Sequence, residues 1–120
     1  GLKDFYTVTK SVKDNDTTQT SLKVNAEHEL YKGHFPGRPV TPGVVLMQLF
    51  KEEAERISEE KLSLKRASNV KFTAVFDPTD NDELILESKL EKQGAYYELK
   101  GIAKSETGII TKINALYEVL

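Results

Sequence analysis

Residues 17–26 alternate without a break. Thr18, Thr20, Leu22, Val24 and Ala26 fall on one side, Gln19, Ser21, Lys23 and Asn25 on the other. A period of two is the repeat of a strand with one buried face. Residues 5–12, rich in aromatic and β-branched side chains, predict a strand before it, joined through the polar turn Lys13-Asp14-Asn15-Asp16. The alternation then returns four times. Val70, Phe72, Ala74 and Phe76 share a side; so do Leu84, Leu86 and Leu90. Tyr97, Leu99, Gly101 and Ala103 follow, then Ile109, Ile113, Ala115, Tyr117 and Val119. Turns are expected at 77–82, at Gln93-Gly94 and at Glu106-Thr107-Gly108. Four one-sided strands in succession predict an antiparallel meander with a single wet face.

The stretch from Pro42 to Glu60 is different. Its first half is apolar on nearly every side except at Gln48. Its second half narrows to Phe50, Ala54 and Ile57 among charged neighbours. That pattern predicts one long helix, a rod of roughly 27 Å at 1.5 Å per residue. The dry face of the sheet needs a cover, and this helix is the sole candidate. The expected architecture is α+β: a curved antiparallel sheet wrapped around one long central helix, a single domain over residues 1–120.

Composition narrows the function classes. At 38% hydrophobic and 30% charged residues, the chain reads as an ordinary globular domain. A net charge of −2 offers no electrostatic footprint for nucleic acid or an anionic membrane. The absence of cysteine removes disulfides, thiolate metal sites and cysteine nucleophiles. No apolar run approaches the 18 or so residues of a membrane helix, and no charged-then-apolar leader opens the chain. A cytoplasmic location is the simplest expectation, with Gly1 in place of methionine pointing to trimming. Nothing in the chain calls for a cofactor or a metal.

The candidate chemistry lies just before the helix. Gly33-His34-Phe35-Pro36-Gly37-Arg38-Pro39-Val40-Thr41-Pro42-Gly43 holds three prolines and three glycines in eleven residues. Such a stretch makes a rigid, sharply turning loop. Pro42 suits a first helical turn. Gly43 lets another molecule approach the backbone where helix N–H groups point outward. A titratable imidazole thus precedes an oxyanion-binding helix start by nine residues. His28, between two glutamates, reads as a surface or structural residue, and the two histidines lack metal-ligand spacing.

This loop closely resembles the signature of the β-hydroxyacyl-acyl carrier protein dehydratases, which have the hotdog fold. Every glycine, proline and histidine of their Gly-His-Phe-Pro-Gly-x-Pro-hydrophobic-x-Pro-Gly pattern is present. The likeness is dense over residues 33–47 and rests on strand layout elsewhere. It implies a hydro-lyase that forms a trans-2-enoyl thioester in fatty acid or related lipid or polyketide biosynthesis. Its substrate would be an acyl thioester on acyl carrier protein or coenzyme A.

By the same resemblance, His34 is the base and the N–H of Gly43 polarises the thioester carbonyl. The carbonyl of Val40 holds the imidazole, and Phe35, Gly37, Pro42 and Arg38 line the substrate. A homodimer, or a larger oligomer of dimers, would build each site from two chains. The departure is Gln48, fourteen residues after the histidine, where the family carries Glu or Asp. An amide cannot donate a proton and be restored. Gln48 therefore leaves three readings open: a modified dehydratase, an acyl thioesterase in which it positions water, or a non-catalytic partner of acyl carriers. Glu52, one turn further along, is the nearest substitute acid, although a solvated surface role is its plainer reading.

Overall fold

A computed structural model of the chain describes residues 2–33 and 37–120. Six strands and two helices appear in the order β1 (Tyr6–Asp14), β2 (Thr17–Val24), α1 (Leu30–Gly33), α2 (Gly43–Ser58), β3 (Leu62–Phe72), β4 (Glu83–Gln93), β5 (Tyr96–Ser105) and β6 (Gly108–Val119). The strands form one antiparallel sheet in the order β1-β2-β4-β5-β6-β3. Helix α2 lies against its concave side. Val45, Leu46, Leu49, Phe50 and Ala54 pack there on the inward residues of the strands, among them Leu22, Leu84, Leu86, Leu99 and Tyr117.

The alternation in β2, β4 and β5 translates directly into burial. Thr20, Leu22, Val24, Leu84, Leu86, Leu99 and Ala103 are all interior. Phe50 shows how closely the helix is seated: its ring stands where a Cβ on Gly101 would be, 2.5 Å from Cε1. Only a glycine in β5 lets the helix approach this far.

Several expectations need correction. The meander contains three strands, because β3 pairs with β6 at the far edge and β4 pairs with β2. The ten residues from Thr73 to Asp82 are too many for a hairpin, and they are tied across the sheet: Val24 N donates to the Asp82 carbonyl at 2.8 Å. Strand β3 also begins at Leu62, eight residues earlier than its apolar alternation indicates. As an edge strand it leaves most of both faces exposed, so burial does not select its pattern.

In β6, Ile109 is 41% exposed and Ile110 is fully buried. A bulge causes this: Ala103 pairs with Thr111 and Lys104 with Ile109, leaving Ile110 unpaired and shifting the phase. A four-residue helix, α1, occupies part of the expected lead-in at 27–32. Finally, α2 ends at Ser58 and is not enclosed at its start, since Val44 is 72% exposed. No helix among the described residues is long and apolar enough to cross a membrane.

Candidate functional site

His34, Phe35 and Pro36 lie outside the described residues, so the imidazole expected to be the base has no geometry here. The described part of the loop and the start of α2 are built as follows. Gly37 adopts φ +77°, a left-handed turn that glycine takes without cost. Arg38 is exposed and Val40 half-buried. Thr41 is interior, and both its N–H (3.1 Å) and its hydroxyl (3.0 Å) donate to the Phe76 carbonyl. With the Thr41 proton committed, the Tyr31 hydroxyl donates to Thr41 Oγ1 at 2.7 Å. Burial pushes the Tyr31 phenol up to about 12, so it stays a donor through neutral pH. This anchor from α1 to the 73–82 segment fixes where α2 starts. A threonine inside a Pro/Gly loop was its only sequence signal.

Pro42 is the N-cap, with extended φ −63° and ψ 148°, rather than a residue of the first turn. Its carbonyl accepts from Val45 N at 3.0 Å and Leu46 N at 3.2 Å. Gly43 is the first helical residue, and its N–H precedes the intrahelical ladder. The Cβ side of Gly43 is occupied from within the chain. A Cβ there would stand 2.7 Å from Cζ of Phe72, the last residue of β3, whose side chain is half exposed. Sequence reasoning placed Phe72 in the core and missed this contact.

Gln48 does not converge with Gly43. Five residues on, it points about 140° around the helix axis and sits roughly 7.5 Å further along it. Its Nε2 donates to Glu52 Oε2 at 3.1 Å. Glu52 is accordingly not a solvated bystander. It also accepts from Leu2 N at 2.8 Å and from the Tyr6 hydroxyl at 2.9 Å. Burial pushes its carboxyl up, but the bonds from Gln48, Leu2 and Tyr6 outweigh that and hold it below the ordinary carboxylate value. An anion held so firmly is a poor general acid, which removes Glu52 as a substitute for the missing one. Tyr6 is shifted upward, first by burial and then by the Glu52 carboxylate. Beside this cluster opens a hollow of about 820 Å³, lined by Leu2, Tyr6, Gln48, Lys51, Lys61 and Leu120 among others.

Glu53, the next residue, faces inward and is 3% exposed. Arg56 grips it with two bonds, Nε to Oε1 at 2.7 Å and Nη2 to Oε2 at 2.9 Å. The Thr20 hydroxyl donates to the same carboxylate. His28 has a structural role. Its Nδ1 accepts from Leu30 N at 3.0 Å, so Nε2 carries the proton and donates to the Lys3 carbonyl at 2.9 Å. Its ring meets Phe5 edge-on, centroids 5.3 Å apart.

A single long helix packed against one antiparallel sheet defines a hotdog-fold protein. The architecture recurs in the ApeI:P dehydratase heterocomplex of Xenorhabdus doucetiae, with a TM-score of 0.75 over 94% of this chain and 97% of that one, at 15% identity. It recurs also in a hypothetical thioesterase from Streptococcus pneumoniae solved with coenzyme A, with a TM-score of 0.70 over 100% of this chain and 91% of that one, at 12% identity.

Residues 10–109 match the ApeI-like family model, described as ApeI dehydratase, and the chain belongs to that family. Among curated proteins it is similar to the 3-hydroxyacyl-[acyl-carrier-protein] dehydratase FabZ of Acidovorax sp. (strain JS42), 27% identical in an alignment of 92 residues that covers 68% of this chain. The aligned part is 62% of that relative, so the chain spans a little under two thirds of its length.

Proposed function

We propose that this protein removes water from a 3-hydroxyacyl thioester to give the trans-2-enoyl thioester, acting in the cytoplasm on chains carried by acyl carrier protein or coenzyme A. The observation that supports this most is the Gly33–Gly43 motif, in whose sequence a histidine precedes by nine residues a helix whose first N–H groups are free of the intrahelical ladder. In this reading neutral His34 takes the C2 proton, as an imidazole near its ordinary pKa of ~6.5 is suited to do. The Gly43 N–H stabilises the enolate oxygen that develops on the thioester. Phe35, Gly37, Val40, Pro42 and Arg38 border the acyl and carrier ends.

The C3–O bond then breaks, and the hydroxyl must gain one proton to leave as water. The proton His34 has taken balances that requirement, since Gln48 has none to give. The 140° between Gly43 and Gln48 favours a site completed by a second chain. Edge strand β3 invites such pairing, and Leu64, Phe72 and Val75 near that edge, with Val44 at the helix start, present exposed apolar surface. The second chain is either a copy of this one or, as the Xenorhabdus heterocomplex suggests by analogy, an unlike dehydratase chain that brings its own acid.

Incubating the protein with 3-hydroxyacyl and saturated acyl thioesters on both carriers tests the reading. Enoyl product is expected, with free thiol the mark of a thioesterase and neither the mark of a binding partner. His34→Ala should cut turnover by ~10²–10⁴-fold with the melting temperature nearly unchanged. Unaltered turnover would remove the imidazole from the mechanism. A strictly monomeric, active protein by light scattering would remove the shared site.

A further inference from the structure

We infer that Glu52 is a positioning residue that fixes the Gln48 amide with its carbonyl oxygen outward, so that Gln48 binds the substrate's 3-hydroxyl as a hydrogen-bond acceptor. The inference rests on the dehydratase reading for its ligand but not for its geometry. An ionised carboxylate can only accept, so the amide face turned towards Glu52 must be the NH₂. The 3.1 Å bond from Gln48 Nε2 to Glu52 Oε2 is that face. Rotating the amide by 180° would set two acceptors against each other.

Glu52 cannot turn away to relieve such a clash. The Tyr6 hydroxyl holds its Oε1 at 2.9 Å and the Leu2 N–H holds its Oε2 at 2.8 Å. Both donors come from the start of the chain, so β1 and its lead-in clamp the outer face of α2. The i, i+4 spacing brings the amide and carboxylate together on that face. With its nitrogen side tied to an anion, Gln48 Oε1 becomes the more strongly polarised end of the group.

The chemistry follows from that orientation. A 3-hydroxyl has a proton to give and finds an acceptor. A saturated acyl chain has no such proton, and neither has the enoyl product. Gln48 therefore selects the hydroxylated substrate over its product and aims the C3–O bond, while the proton that releases water comes from elsewhere. An amide locked this way holds the hydroxyl without protonating it.

The amide can be observed without any enzymology, by ¹⁵N–¹H spectra of the 120-residue protein. The Gln48 side-chain resonance is assigned by its loss in Gln48→Leu. It should lie downfield, exchange slowly, and titrate with a midpoint below the ordinary glutamate value of ~4.3. Glu52→Gln should abolish that titration, and Tyr6→Phe, which keeps the fold's packing, should raise its midpoint. A Gln48 resonance indifferent to pH and to both variants would overturn the positioning role.

The ligand half is read from binding of 3-hydroxyacyl against saturated acyl thioester. The preference should fall about tenfold in Gln48→Leu, the net worth of one hydrogen bond, and severalfold in Glu52→Gln. An unchanged preference in Gln48→Leu would overturn the hydroxyl contact. Binding of neither thioester by the wild type would remove the dehydratase reading and this contact with it, leaving the amide spectrum to decide the Glu52 role.

Discussion

Glu52 and Glu53 are neighbours on α2, about 100° apart around its axis, and their surroundings differ in kind. Glu53 points at the sheet and is enclosed, gripped by Arg56 through both oxygens and met by Thr20 from β2. Glu52 meets only the edge strand β1 and its lead-in, half-buried, beside a glutamine that lines an open hollow. Each carboxylate accepts three hydrogen bonds. The inward one ties helix to sheet; the outward one is tied by the chain's first residues and in turn orients a neighbour. Enclosure, rather than the number of bonds, separates a group that holds the fold from one available to chemistry.

The contrast can be broken most directly at the wall side. Glu53→Ala should cost about 3 kcal/mol, because it strips a buried carboxylate from Arg56 and Thr20 together. Chemical denaturation measures this, and a loss near that of Glu52→Ala would erase the distinction between the two faces.

At the free side, Gln48→Glu should raise enoyl formation by up to ~10²-fold, at a cost in stability near neutral pH because its carboxyl is held above its unfolded pKa. Its cause differs from burial in an apolar helix face. The new carboxyl would share a site with the Glu52 carboxylate, and like charge raises its pKa, so that the pair holds a proton near neutral pH. No gain in a folded variant would mean that the site has been rebuilt, with thioester hydrolysis the leading alternative.

The glycines repeat the contrast. Gly101→Ala drives a Cβ to 2.5 Å from the enclosed Phe50 ring, and a loss of about 2 kcal/mol is expected. Gly43→Ala meets the half-exposed Phe72 ring at 2.7 Å, which has solvent to move into. It should cost under about 1 kcal/mol of stability while lowering turnover. Equal melting temperatures for the two variants would contradict this.

The smallest effect concerns acid. Glu52 has a lowered folded-state pKa, so its contribution is present above the unfolded value of ~4.3 and is lost as pH falls through the lower folded value. Glu52→Gln should therefore lose less stability than wild type between pH 6 and pH 3. Parallel urea midpoints for the two proteins across that range would show that the donors around Glu52 do not favour its charged form.

Much of this was legible in the residues themselves. The alternation in β2, β4 and β5 and the apolar stripe of α2 state their own burial, because side-chain direction along a strand or helix follows from local backbone geometry. The loop motif carried its family likeness in the same local way. Strand β3 was misread because an edge strand has no dry side to print a pattern, and Ile109 because a bulge changes phase without changing composition.

The rest depended on residues distant in sequence. Glu52 meets Tyr6 across 46 positions and Leu2 across 50, and the Phe72 ring reaches Gly43 from the far edge strand. Local rules carry no information about such meetings. They are set by sheet order and by how deeply the helix seats, and those follow from packing the whole chain at once. The sequence determined which residues were available for chemistry. The tertiary structure alone decided that Tyr6 and Leu2 hold Glu52 and that Glu53 does not face solvent.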